Sequence, residues 1–295
     1  MTDLNRIVAV VDRCCQQCLP RSGVRRGRPH DYPLTCILQL VAVQYLHGFT
    51  SEAAFFRWLK RQTDLPWPTL PSRSQYNRRV KALPPTITTL LPSIFARLQL
   101  DHERVRVIDS TPVPVIGYAR AHRSPRFVRG DEVNYGYCPA RNMRYYGCKL
   151  HLVTSKGGIP VTYALGPANR HDVQHLLTLG ERLPRRTWLL GDRGYQSRRR
   201  HQYLRETGGI TVFTPAKKNQ PPRSRWVRCL LRKRRCVIDS TFAQFKDHLG
   251  LERLGAKSYA GVEGRVAALV FAYLAAVLFN QHYRRPYRAI KSVLL

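Results

Sequence analysis

Acidic residues are scarce in this 295-residue chain: 18 Asp and Glu stand against 50 Lys and Arg, for a formal net charge of +32. Only ten of the bases are Lys, so about four fifths are Arg, the cation whose planar fork grips phosphate oxygens and stacks on bases. An excess of this size opposes compaction by self-repulsion, which implies a polyanionic partner, nucleic acid above all. A basic ribosomal or nucleoid protein, or one drawn to anionic membranes, would share that charge. Long apolar runs are lacking too. The longest, Val266 to Phe279, has fourteen residues, too few to cross a bilayer and suited to a buried helix. The N-terminus carries no secretory signal pattern, and no repeat or low-complexity tract interrupts the chain. With 43% hydrophobic residues a core is expected and wholesale disorder is excluded. The eight Cys are expected as reduced thiols. Cys15-x2-Cys18, with His30 and Cys36, has the outline of a zinc set. Against that, Ile7, Val8, Val11, Cys14, Cys15 and Cys18 share one helical stripe, where Cys serves as a small core hydrophobe.

Apolar spacing predicts helices near 4–18, 33–47, 51–62, 72–83 and 86–99, with Ser51 and Ser72 as N-caps and the Pro-rich stretch 65–68 as a break. In the 72–83 segment Tyr76, Val80 and Leu83 form a narrow apolar stripe, while Arg73, Gln75, Asn77, Arg78, Arg79 and Lys81 face elsewhere. Arg, Gln and Asn read base edges in the major groove, so the segment is either a recognition helix or an ordinary solvated face. After residue 101 strands are predicted at 104–109, 145–154, 159–165, 187–192 and 209–214, with helices near 172–182, 197–207, 232–249 and 260–284 and a basic loop at 215–228. The expected architecture is α/β with a mixed central sheet behind an all-helical N-terminal domain. The expected divisions are a helical DNA-binding domain at 1–101, a catalytic domain at 102–284 and a short basic tail at 285–295.

With so few acids, their placement carries weight. Asp109 and Asp192 are each expected at a strand's carboxyl end, where ligands gather in open α/β sheets. Carboxylates there suit hard cations such as Mg²⁺ or Mn²⁺, although single loop aspartates are also common turn formers. On the 232–249 helix Arg235, Asp239 and Lys246 fall within about 40° of one another. That stripe can join a metal ligand to two phosphate-gripping cations, or be a surface ion pair of little consequence. Asp172, following His171, is expected as a helix N-cap, with a metal role as the alternative. Lys217, Lys218 and Trp226 lie in a basic, aromatic-bearing loop, where the Trp either stacks on a base or belongs to the core.

Val-Ile-Asp109-Ser-Thr-Pro-Val, Gly-Asp192-Arg-Gly-Tyr195 and Arg235-x3-Asp239-x6-Lys246 together resemble the three catalytic segments of bacterial insertion-sequence DDE transposases over roughly 100–284. The resemblance implies an RNase H-like fold, cleavage at the element's ends and strand transfer into target DNA. It implies two Mg²⁺ ions, with Mn²⁺ as substitute, held by Asp109 between them and by Asp192 and Asp239 singly. Terminal inverted repeats and target DNA are the implied partners, a homodimer the implied synaptic state, and a cytoplasmic, nucleoid-associated bacterial setting the implied location, away from membranes. Two positions depart from the pattern: Asp239 stands where Glu is usual, and Arg232 where Tyr is usual. Other readings are a metal-dependent nuclease without strand transfer and a transposase-derived DNA-binding protein without catalysis.

Overall fold

A computed structural model describes residues 3–19, 31–124, 127, 132–217 and 219–293. In chain order its elements are α1 (Asp3–Cys18), α2 (Leu34–Leu46), α3 (Glu52–Leu59), α4 (Arg73–Lys81), α5 (Leu83–Arg97), β1 (Val105–Ile116), β2 (Asn134–Cys138), β3 (Met143–Ser155), β4 (Pro160–Pro167), α6 (Leu176–Gly180), β5 (Trp188–Leu190), α7 (Arg198–Gly208), β6 (Thr211–Phe213), α8 (Arg225–Asp247) and α9 (Tyr259–His282), with short 3₁₀ turns between. Two compact units result, Met1–Ile94 with Phe245–Leu295, and Phe95–Gln244. The linear division expected at 101/102 therefore differs from this grouping, because the last helix packs among the N-terminal ones.

In the helical unit α9 is the axis, touching α1, α2 and α4. It is 24 residues long and apolar enough to cross a membrane by length and composition, yet nearly all of it is buried. Two glycines permit close approach. A Cβ on Gly264 would come within 2.5 Å of the Val80 carbonyl, and one on Gly250 within 2.4 Å of Thr50 Cγ2. Ser51 and Ser72 cap their helices as expected, Ser72 in a reciprocal capping box with Gln75. Cys14, Cys15, Cys18 and Cys36 are buried, and burial pushes the Cys15 thiol up to about 12. His30 lies outside the described residues.

The second unit is built on a six-stranded mixed sheet. β3 is long enough for its first half to pair with β2 and its second with β4, both antiparallel. Its other edge pairs antiparallel with β1, and β5 and β6 follow in parallel. Leu176 and Leu179 of α6 and Leu204 of α7 cover one face, packing in a cluster with Ile108, Val153, Leu189 and Ile210. β1 continues far beyond its predicted end at Asp109. Pro112 and Pro114 occupy alternate positions, so their missing N–H groups fall on one side. Pairing to β5 stops at Val107, leaving an open edge where proline is tolerated. Gly147 lets β3 lie close there, since a Cβ would sit 2.1 Å from the Val113 carbonyl oxygen.

The helical unit also holds an acid-sensitive residue. His47 ends α2 and packs on Trp58 at 4.4 Å between ring centroids, and burial lowers its pKa from 6.5 to about 4. The unfolded chain binds this proton where the folded chain does not, so the stability concerned is complete above pH 6.5 and is lost as pH falls toward 4. His47→Gln should show a smaller drop in melting temperature than wild type between pH 7 and pH 4.5. Parallel drops in both proteins would show that His47 does not titrate in this way.

Candidate active site

The pairing of β1 with β5 sets the geometry. Val107 is opposite Leu190 in the last parallel pair, and Asp109 and Asp192 each lie two residues further on. Side chains two apart share a face, and neighbouring strands lie about 4.8 Å apart, so the register delivers both carboxylates side by side where the parallel strands part. Both line a cavity of about 450 Å³ with apolar walls, Leu190 and Ile238 among them, and with Arg232 and Arg235 at its edge.

Local chemistry explains the Gly191-to-Tyr195 motif. A Cβ on Gly191 would sit 3.0 Å from Ile108 Cγ2, and one on Gly194 would sit 3.0 Å from Asp192 Oδ1 and 3.3 Å from Asp172 Oδ2. Asp192 accepts the Gly194 N–H at 2.9 Å, starting a 3₁₀ turn. Tyr195 is wholly buried, with its hydroxyl 3.0 Å from His151 Nδ1, so its role is structural. Asp109 accepts the Ser110 N–H at 2.8 Å.

Electrostatics set this corner apart. Burial raises the Asp109 pKa from the ordinary carboxylate range to about 7; the Ser110 N–H and Arg235 oppose the rise, and Asp192 and Asp239 add to it. Burial also raises Asp192, with Asp172 adding to the effect and the Gly194 N–H and Arg235 resisting it. Two half-buried carboxylates thus share a site in which negative charge is under-compensated.

The remaining expected residues are placed unequally. Asp239 is exposed on α8; Asp109 feels its charge, but among the described residues no three His, Cys, Asp or Glu side chains form a group able to hold a metal ion. Lys246 lies 3.6 Å from Glu252. Lys217 is exposed, and Lys218 lies outside the described residues. Trp226 is 51% exposed and packs edge-on against Trp188 and Phe213, so it is neither core nor part of the cavity wall. On α4, Gln75 closes the capping box, Asn77 donates to both Glu52 oxygens at 2.9 Å, and Arg79 donates to the Tyr32 carbonyl. Arg73, Arg78 and Lys81 are exposed.

Asp172 does not serve as the N-cap it was expected to be. His171 holds the cap position; Asp172 instead accepts Lys149 Nζ at 2.8 Å and the Ser110 hydroxyl at 3.1 Å. A fourth carboxylate is thereby held against Asp192 by a cation from β3. Removing Lys149 leaves that charge without its ion pair. Lys149→Met should cost about 1–3 kcal/mol in urea denaturation, and adding Asp172→Asn should recover part of it. A double variant no more stable than Lys149→Met would show the pair to be uncoupled.

Residues 101–275 match the model of the transposase DDE domain family. The match covers more than half of the chain, which belongs to that family. It is 33% identical over 103 residues to the transposase for insertion sequence element IS1106 of Neisseria meningitidis serogroup B, a match spanning 32% of this chain and 34% of that protein. A solved pre-cleavage Mos1 transpososome aligns over 96% of this chain and 85% of its own at 14% identity and a TM-score of 0.31.

Proposed function

We propose that the chain is a DNA transposase that cleaves strands at insertion-sequence ends and transfers them into target DNA, using an RNase H-like catalytic domain. The observation that carries this is the delivery of Asp109 and Asp192, in register, to one wall of an arginine-edged cavity in a chain of the transposase DDE domain family. The order of the sheet, antiparallel strands leading into parallel ones, supports the RNase H-like reading.

The pair Asp109 and Asp192 fits divalent cations. Hard oxygen donors are the chemistry Mg²⁺ and Mn²⁺ prefer, and a carboxyl that burial and like charges hold near about 7 is one that a cation would favour in its ionised form. Asp109 and Asp192 would hold the ions, with Asp239 as the third carboxylate. Bound there, a pair of ions would supply Lewis-acid stabilisation of the attacking and leaving oxygens. Arg232 and Arg235 would grip phosphate oxygens at the cavity's edge, beside apolar Leu190 and Ile238. In the first step water attacks phosphorus and the P–O3′ bond breaks, leaving a 3′-hydroxyl and a 5′-phosphate. In the second, that hydroxyl attacks a target phosphodiester and one target P–O bond is exchanged for another. No covalent protein–DNA intermediate is required. Terminal repeats, target DNA and a homodimer in the synaptic complex are the partners this reading carries, in a bacterial cytoplasm. The helical residues 1–101 would contribute end binding.

The test is cleavage of a supercoiled plasmid bearing the element's ends, with Mg²⁺ or Mn²⁺. Asp109→Asn and Asp192→Asn should each lose at least roughly a hundredfold in rate while still binding end DNA. Asp239→Ala should be inactive and Asp239→Glu active. Wild-type rate in either Asn variant would remove those residues from the chemistry, and wild-type rate in Asp239→Ala would remove the third acid. Nicked plasmid without joined product would mark a nuclease instead. Independently of turnover, Mn²⁺ should raise the melting temperature of wild type and leave that of Asp109→Asn unmoved.

A further inference from the structure

The helical unit contains a cleft of about 640 Å³ lined by the starts of α3 and α9, by α4 along its length and by the turn before α9. Glu52 is the only acid among its lining residues, and it is fully engaged, accepting Asn77 on both oxygens and Arg265 at 2.8 Å. Four further cations line the cleft: Arg73, Lys81, Arg253 and Lys257. All four are exposed, and none makes a side-chain hydrogen bond or ion pair to any described residue. Four uncompensated positive charges around one concavity repel each other, an arrangement that an anion would relieve.

The backbone holds them there. Close contact between Gly264 and the Val80 carbonyl ties the end of α4 to α9, and the Lys81 stem lies 3.7 Å from where a Gly261 Cβ would be. Gly255 turns the chain in the left-handed region, at φ +60°, between Arg253 and Lys257. α9 opens on the Ser258 cap with no acid in its first turn, so the positive end of a 24-residue helix adds to the field. The amide side chains on α4 are occupied: Gln75 caps, and Asn77 holds Glu52. What remains in the cleft is charge on long side chains without a directional amide, which suits phosphate.

We infer that this cleft seats the phosphate backbone of duplex DNA, independently of sequence, and that residues 253–257 share the grip with α4. The inference rests on the reading that the chain acts on DNA, and it adds a second contact to that reading.

The experiment uses full-length protein and a fluorescent random-sequence duplex titrated across a range of KCl concentrations. K81A/K257A should lower the slope of log affinity against log salt by about two, near 0.9 per lost contact. It should weaken an end-bearing duplex equally. K81R/K257R should keep the wild-type slope. K60A/R61A removes two exposed charges at the end of α3 and should change the slope by less than half as much. An unchanged slope in K81A/K257A, or an equal fall in K60A/R61A, overturns the inference. So does stabilisation of wild type but not K81A/K257A by inorganic phosphate with duplex binding alike in both, which would assign the cleft to a free anion. Plasmid cleavage is scored in parallel. If wild type fails to cleave while the slope still falls, the transposase reading falls and the cleft stands; if wild type cleaves and the slope is unmoved, the reverse holds.

Discussion

The short parallel ladder between β1 and β5 is the constraint on which the catalytic unit turns. It spans three residue pairs and stops at Val107 and Leu190. Had it slipped by one residue, every side chain on one strand would change faces, and Asp109 and Asp192 would no longer share a wall. Burial behind the ladder holds the register: Ile108 and Leu189 pack in one cluster with Leu176, Leu179 and Leu204. Beyond the ladder β1 leaves β5 but keeps its pairing to β3. That parting opens space for the cavity and lets Ser110, on β1, reach Asp172.

Much of this was legible in the sequence, for physical reasons that differ by element. The capping serines of α3 and α4 announce themselves because a capping side chain acts on residues three away. That Asp109 and Asp192 follow buried strand segments was legible because short apolar runs preceding an acid mark such strands. The extent of β1 was hidden by Pro112 and Pro114, which signal a strand's end unless the partner on that side is already gone. β2 was missed because Gly136 interrupts it, and that glycine has a tertiary cause: a Cβ there would lie 2.7 Å from the Ala168 Cβ. The first turns of α8 were assigned to a basic loop, since Arg225, Arg228, Arg232 and their neighbours show too little apolar periodicity to announce a helix. The true partners of Asp172 lie 23 and 62 residues away in sequence, beyond any local pattern.

Residue chemistry alone left α4 open between a recognition helix and a solvated face. Its Arg, Gln and Asn have the groups that read bases, and composition cannot tell whether those groups face solvent. The structure engages Gln75, Asn77 and Arg79 internally. A buried Glu52 needs donors, and an N-terminal turn needs a cap; both demands are met before any ligand arrives. What α4 retains for a partner is its long cations, Arg73, Arg78 and Lys81, which are exposed.

The same division orders the chain's few acids. Glu52 is met by Arg265, Asp172 by Lys149, Glu103 by Lys156 and Glu252 by Lys246. Asp109, Asp192 and Asp239 make no ion pair within 4.0 Å among the described residues. Exposed acids such as Asp64, Glu181 and Asp247 also go without one, so Asp109 and Asp192 stand apart because burial raises both while no described cation is in contact with either. Backbone N–H groups and a more distant Arg235 take the place of contact partners at Asp109 and Asp192. These donors steady the carboxylates without neutralising them, which keeps their oxygens available to a ligand that carries its own positive charge.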